Sequence, residues 1–158
     1  MIKRLSDKDT TTIYNIINVA ASVYNGVIPD NCYHEPYMPE KELQHEMASM
    51  TFFGWEEADK LVGVIGLQPI EGVTLIRHAY VLPDYQSKGI GSKLLDHIRQ
   101  MTKSRNLLVG TWADANWAIN FYKKHGFILM PNKNELLQKY WDISQRQVET
   151  SVVLAIEV

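Results

Sequence analysis

Residues 51 to 82 constrain the fold most. Thr51 to Glu57, Leu61 to Pro69 and Val73 to Leu82 are three runs rich in β-branched and aromatic residues. Only Ala58-Asp59-Lys60 and Glu71-Gly72 separate them, which predicts turns and an antiparallel meander. A helical period flanks this block. Ile13, Ile16, Ile17, Ala20 and Tyr24 recur before it, and Ile90, Leu94, Leu95, Ile98 and Met101 after it. Strands and helices interleave, yet some strands follow one another directly. The expectation is an α/β fold with a mixed central sheet covered by helices on both faces.

The remaining elements fill that frame. Ile2 to Leu5 reads as a strand, Ser6-Asp7 as a helix N-cap and Asn25-Gly26 as the stop of the first helix. Val27 to Met38, with Pro29 and Pro36, reads as an ordered loop, and a second helix runs from Pro39 in its first turn to Met50. Gly89 to Ser104 and Asn116 to His125 are helices, the latter stopped by Gly126, and Leu107 to Trp112 is a strand between them. Phe127 to Met130 and Gln147 to Glu157 supply closing strands, with a short helix over Glu135 to Trp141. With 158 residues and no repeat or linker, a single domain over 1–158 is expected.

Composition removes several function classes. At 46% hydrophobic and 22% charged residues, the chain is neither disordered nor fibrous. A net charge of −2 offers no basic field for nucleic acid or an anionic membrane. Cys32 is the only cysteine, so neither a disulfide framework nor a cysteine zinc site can form. There is no apolar run of ~18 residues and no apolar signal core. These features suggest a reducing, cytoplasmic setting.

The stretch Val81-Leu82-Pro83-Asp84-Tyr85-Gln86-Ser87-Lys88-Gly89-Ile90-Gly91-Ser92 carries a strand end, a glycine-bearing turn and a helix start. Such a turn presents unpaired backbone N–H groups at the positive end of a helix, where a phosphate binds. Gly89 and Gly91 let an anion approach the backbone, Lys88 and Lys93 add charge, and Ser92 adds a hydroxyl. Neither G-x-x-x-x-G-K-[ST] nor G-x-G-x-x-G is present. Spacing alone leaves a tight turn and an anion site evenly matched.

Gln86-Ser87-Lys88-Gly89-Ile90-Gly91 resembles the Q/R-x-x-G-x-G/A motif of the GNAT superfamily of acyl-CoA-dependent N-acyltransferases. A second element, Ala118-Ile119-Asn120-Phe121-Tyr122-Lys123-Lys124-His125-Gly126-Phe127, is similar to that family's A-x-x-[FL]-Y-x-x-x-G-F helix and strand. The resemblance implies a three-layer α/β/α fold whose fourth and fifth strands splay apart around acyl-CoA. On this chain it assigns pyrophosphate contacts to Gln86, Ser87, Lys88, Gly89, Ile90, Gly91 and Ser92. Pantetheine pairing goes to the backbone of Tyr80, Val81 and Leu82.

Thioester-to-amine transfer needs a neutral amine and a protonated leaving thiolate. Tyr122 matches the family tyrosine placed near the CoA sulfur. Asn116 is read either as a helix cap or as a pantetheine partner, with Asp114 as the other capping candidate, because the family asparagine stands one residue earlier, at Ala115. The family's strand glutamate aligns with Leu75, so an ionisable substitute is sought nearby. His78 on the same strand is one candidate. His34 and Glu35, in the polar and aromatic loop, are the others. Cys32 as a nucleophile has no base beside it in the sequence, and His45-Glu46 opens an H-E-x-x-H pattern that lacks its second histidine, so no metal is expected.

The implied activity is transfer of an acetyl group from acetyl-CoA to a primary amine of a small molecule or peptide, by direct attack. A CoA-binding regulatory domain without turnover is the alternative, and a nucleotide-binding module is disfavoured by the missing nucleotide motifs. Whether a second copy of the chain is a partner stays open.

Overall fold

The computed structural model describes residues 1–158. The chain forms two compact units. Unit 1 comprises Met1–Val23, His34–Gln68 and Ile76–Met101, and unit 2 comprises Tyr24–Tyr33, Pro69–Leu75 and Thr102–Val158.

Unit 1 is built on β1 (Ile2–Arg4), α1 (Thr10–Ala21), α2 (Glu40–Met47), β2 (Thr51–Glu57), β3 (Lys60–Ile70) as far as Gln68, β4 (Val73–Val81) from Ile76 on, and α3 (Ile90–Met101). β1 and β3 flank β2 antiparallel, with Ile2 opposite Trp55 and Phe52 opposite Gly66. The β2–β3 connection turns at Ala58 and Asp59, at φ +48° and +64°, and β3–β4 turns at Glu71 and Gly72, at φ +43° and +87°. Two successive left-handed residues give the turn whose twist matches antiparallel strands, so the meander closes in two-residue loops. Phe52 and Phe53 show how the layers form, because neighbours on a strand face opposite sides. Phe52 joins a core with Ile13, Ile16, Ile17 of α1 and Leu43 of α2. Phe53 instead meets His97 of α3 edge-on at 4.6 Å. Unit 1 therefore has helices on both faces of its sheet.

One departure from extended geometry shapes the middle of β4. His78 adopts φ +51° inside the strand, a left-handed backbone that histidine tolerates better than most residues and that bends a strand locally. Beside Arg77, β3 carries Gly66, where an added Cβ would lie 2.9 Å from the Arg77 carbonyl oxygen. Gly66 thus lets the bent strand sit close.

Unit 2 contains β5 (Asn106–Trp112), α4 (Asn116–Lys124), β6 (Ile128–Leu129), α5 (Lys133–Tyr140), α6 (Gln145–Thr150) and β7 (Ser151–Glu157). β7 runs antiparallel to both β5 and β6. Leu75, Leu108, Leu137, Val148 and Val153 form its core, with Trp141 packed against them. In strand order, β1-β2-β3-β4-β5-β7-β6, β4 and β5 are neighbours joined through helix α3. A helical crossover between neighbouring strands is the parallel connection, so the sheet is mixed, as expected.

Three sequence expectations need correction. The strand expected from Gln147 begins only at Ser151. Ser144 accepts from the Gln147 N–H while the Gln147 side chain returns to Ser144, a capping box that starts α6. Pro39 is the N-cap of α2 rather than a first-turn residue, and the helix ends at Met47. The strand after Gly126 shrinks to Ile128–Leu129.

Gly66→Ala should lower stability by about 1–3 kcal/mol, because backbone has to move to admit the methyl group. Urea denaturation measures this. An unchanged midpoint would show that β4 yields freely at Arg77.

Candidate functional site

The turn after β4 is set by hydrogen bonds on both sides. Leu82 donates its N–H to Val62 O at 2.9 Å, tying the strand end to β3. Gln86 Nε2 donates to Val81 O at 3.0 Å, folding the turn back on the strand it leaves. Ser87 and Gly89 follow at φ +64° and +81°. Helix α3 then starts, its first internal bond running from Lys93 N–H to Gly89 O at 3.1 Å. The Ile90 and Gly91 amides lie ahead of that bond and have no carbonyl within the helix to use. Ile90 is buried against β3, its Cγ2 atom 3.2 Å from where a Gly63 Cβ would stand. That anchor holds the helix end in place. A Cβ on Gly89 would meet nothing within 4 Å, so glycine is needed there for its backbone angle and the surface above it is open. The Lys88 ammonium lies 5.2 Å from the centre of the Tyr85 ring, beside the turn. Lys93 is turned onto Trp55 at 4.7 Å.

Leu82 is one of the three residues expected to pair with pantetheine, and its amide is already committed to β3. Successive residues on a strand point their backbone groups to opposite edges. Val81 therefore presents its backbone away from β3, and one lone pair of its carbonyl already accepts from Gln86. Tyr80 is half-buried and packs beside the Phe52 core.

The second cluster of unit 1 centres on a residue the sequence reading passed over. Glu46, on α2, accepts hydrogen bonds from Arg77 Nη2 and, at 3.1 and 3.2 Å, from His78 Nε2. Arg77 Nη1 donates to Gln68 Oε1 at 2.8 Å. The Phe52 ring lies parallel to the imidazole, with centroids 6.1 Å apart and planes within 10°. Burial pushes the Glu46 carboxyl up, but the hydrogen bond from His78 and the charges of His78, Arg77 and His45 outweigh it. The net direction is down, so Glu46 stays ionised. A signal for it existed. Glu46 is three residues beyond Leu43, on the helix face that packs inward, where a carboxylate needs a partner.

Leu75, where the family glutamate aligns, is buried in the core of unit 2. His34 and Glu35 are exposed on their loop. His34 Nδ1 donates to Pro36 O at 2.8 Å and its ring stacks on Tyr37. No hydrogen bond or ion pair joins them to the Glu46 cluster. The Cys32 thiol donates to the Asn31 side-chain oxygen at 3.7 Å. No cluster of three or more His, Cys, Asp or Glu side chains is placed to hold a metal ion.

In unit 2, Tyr122 is buried on α4, with Phe121 and Phe127 edge-on at 5.2 and 5.3 Å. Burial first, and then the neighbouring Tyr24 phenol, push its pKa well above the usual tyrosine range. Tyr122 therefore stays protonated at any physiological pH. It is a weaker acid than a free phenol and a persistent hydrogen-bond donor. Asn116 is exposed at the start of α4, where Ala115 is the N-cap and no side chain caps the helix. Neither Asn116 nor Asp114 fills that role.

Because the Glu46 carboxyl titrates lower when folded than its ordinary ~4.3, it stabilises the fold above that pH. The contribution is lost as pH falls through the folded value. Glu46→Gln should flatten the loss of stability between about pH 5 and 3 relative to the unmodified chain. Urea melts across that range check this, and parallel curves for both proteins would contradict it.

The family described as Acetyltransferase (GNAT) domain matches residues 48–129, which include β4, the glycine turn, α3, β5 and α4. A spermidine N(1)-acetyltransferase of Thermoplasma acidophilum is 25% identical over 139 residues, covering 80% of this chain and 86% of that protein. Among solved structures, the PaiA N-acetyltransferase of Thermoplasma acidophilum in complex with coenzyme A superposes with a TM-score of 0.77. It is 19% identical and covers 100% of this chain and 98% of its own. A GNAT family acetyltransferase of Elizabethkingia anophelis with acetyl-CoA bound gives 0.71 at 20% identity, covering 100% and 97%. At such identities the structural likeness speaks for the fold, and it extends over the whole chain. With more than half of its length matched, this chain belongs to the GNAT acetyltransferase family.

Proposed function

We propose that the protein transfers the acetyl group of acetyl-CoA to a primary amine by direct attack in a ternary complex. The observation that carries this reading is the turn of unit 1. Left-handed Ser87 and Gly89 open the amides that begin α3, beside Lys88, in the setting of the family motif. A pyrophosphate suits that array of N–H groups. The spermidine acetyltransferase relative and the CoA-bound neighbours support the donor and the amine class. A small aliphatic amine is the first acceptor to test.

The chemistry distributes over named groups. The neutral amine nitrogen attacks the thioester carbonyl carbon and the C–S bond breaks; the second proton of the amine nitrogen passes, through water, to the departing thiolate, giving amide and CoA thiol. A primary ammonium of pKa ~10.4 is neutral in about one molecule in 2,500 at pH 7, so a base has to take its proton. His78 is the base we assign, acting directly or through water, since His34 and Glu35 lie exposed and outside its cluster. The thiolate needs a hydrogen-bond donor that never ionises, and Tyr122 has that property. The unpaired Cys32 accords with a reducing, cytoplasmic setting.

Amine-dependent release of CoA thiol from acetyl-CoA, measured over a panel of amines, tests the reading. Turnover with at least one amine supports it. CoA binding without turnover on any amine would favour a regulatory domain instead. Given an active acceptor, loss of this donor in Tyr122→Phe should lower kcat by roughly 10²–10³-fold and change CoA affinity little. A phenylalanine variant at full rate would remove Tyr122 from the chemistry.

A further inference from the structure

We infer that Glu46 is a positioning residue that fixes the tautomer of His78, so that the nitrogen available to take the proton of the amine is Nδ1. This rests on the acetyl-transfer reading above and adds a residue and an atom to it.

The argument starts from what each atom can do. An ionised carboxylate only accepts hydrogen bonds. Both Glu46 oxygens lie 3.1 and 3.2 Å from His78 Nε2, so Nε2 carries the hydrogen. In the neutral ring Nδ1 is then the nitrogen with a lone pair. Arg77 holds the same carboxylate from the adjacent position, and Gln68 holds Arg77. The carboxylate is thereby restrained by two strands while α2 delivers it. Phe52 lies parallel to the ring and limits its rotation. The left-handed backbone at His78 is a further sign, since a strained angle within a strand persists where surrounding contacts impose it.

The charges around the ring are Glu46, Arg77 and, next to Glu46 on α2, His45. Glu46 favours a protonated imidazole and Arg77 opposes it. Proton transfer is conserved in this scheme. The ammonium proton moves to Nδ1, the Nε2–H stays on Nε2 with its bond to Glu46, and water removes the Nδ1 proton before the next cycle.

Two-bond ¹H–¹⁵N spectra of the histidine-labelled protein, with no substrate present, report the tautomer of His78 and its titration midpoint. A His78→Asn variant identifies the signal. The neutral ring should be the Nε2–H form. Glu46→Gln keeps an oxygen that can accept from Nε2 but removes the charge. It should move the midpoint down by about one unit, and the acid limb of kcat/KM with it. Arg77→Gln should move both upward. An Nδ1–H ring in the unmodified protein would overturn the inference, as would a midpoint and an acid limb that ignore both substitutions. Should Glu46→Gln fail to fold, the wild-type tautomer and the Arg77→Gln shift still decide. Because the spectra need no turnover, a failed amine panel and a wrong tautomer are separate results.

Discussion

A single carboxylate on α2 accepts hydrogen bonds from two consecutive residues of β4, and the local structure of unit 1 is arranged around that contact. A half-buried charge left alone would cost several kcal/mol, so its partners have to be delivered together. The bend at His78 does this by placing Arg77 and His78 toward the same acceptor, although neighbours on a regular strand would face apart. Gly66 in turn provides the room that the bent backbone needs on β3. The same strand continues into the glycine turn. One element therefore carries both the proposed proton acceptor and the proposed anion cradle.

The turn and the cluster rest on different physics. At the turn the work falls to backbone, which is why residue type matters only where φ is positive or a Cβ would obstruct. At the cluster the work falls to side chains whose charges offset one another. Tyr122 adds a third kind of control, in which burial among aromatic rings keeps a phenol neutral.

Much of this was legible in the residues. The meander followed from β-branched runs and two short turns, and the strand-to-helix turn after β4 from its glycines. The role of Glu46 is not legible in the sequence, where His45-Glu46 reads only as the opening of an incomplete metal motif. Its partners lie 31 and 32 residues away and come together only when β4 bends. α6 was missed for a local reason. Gln147 to Thr150 reads as part of the strand that follows, whereas the Ser144–Gln147 capping box makes it helix. Leu75 shows the limit of aligning by motif distance, since its side chain belongs to a packed core.

The most direct test of the whole account is a crystal structure with a bisubstrate analogue in which CoA is joined covalently to an aliphatic amine. The account predicts that the pyrophosphate sits on the backbone amides between Ser87 and Ser92. It also predicts that the amine-derived nitrogen lies within ~2.6–3.2 Å of His78 Nδ1, or one water away. A pyrophosphate bound elsewhere, or an amine nitrogen facing Glu46 or the exposed His34 loop instead, would contradict it.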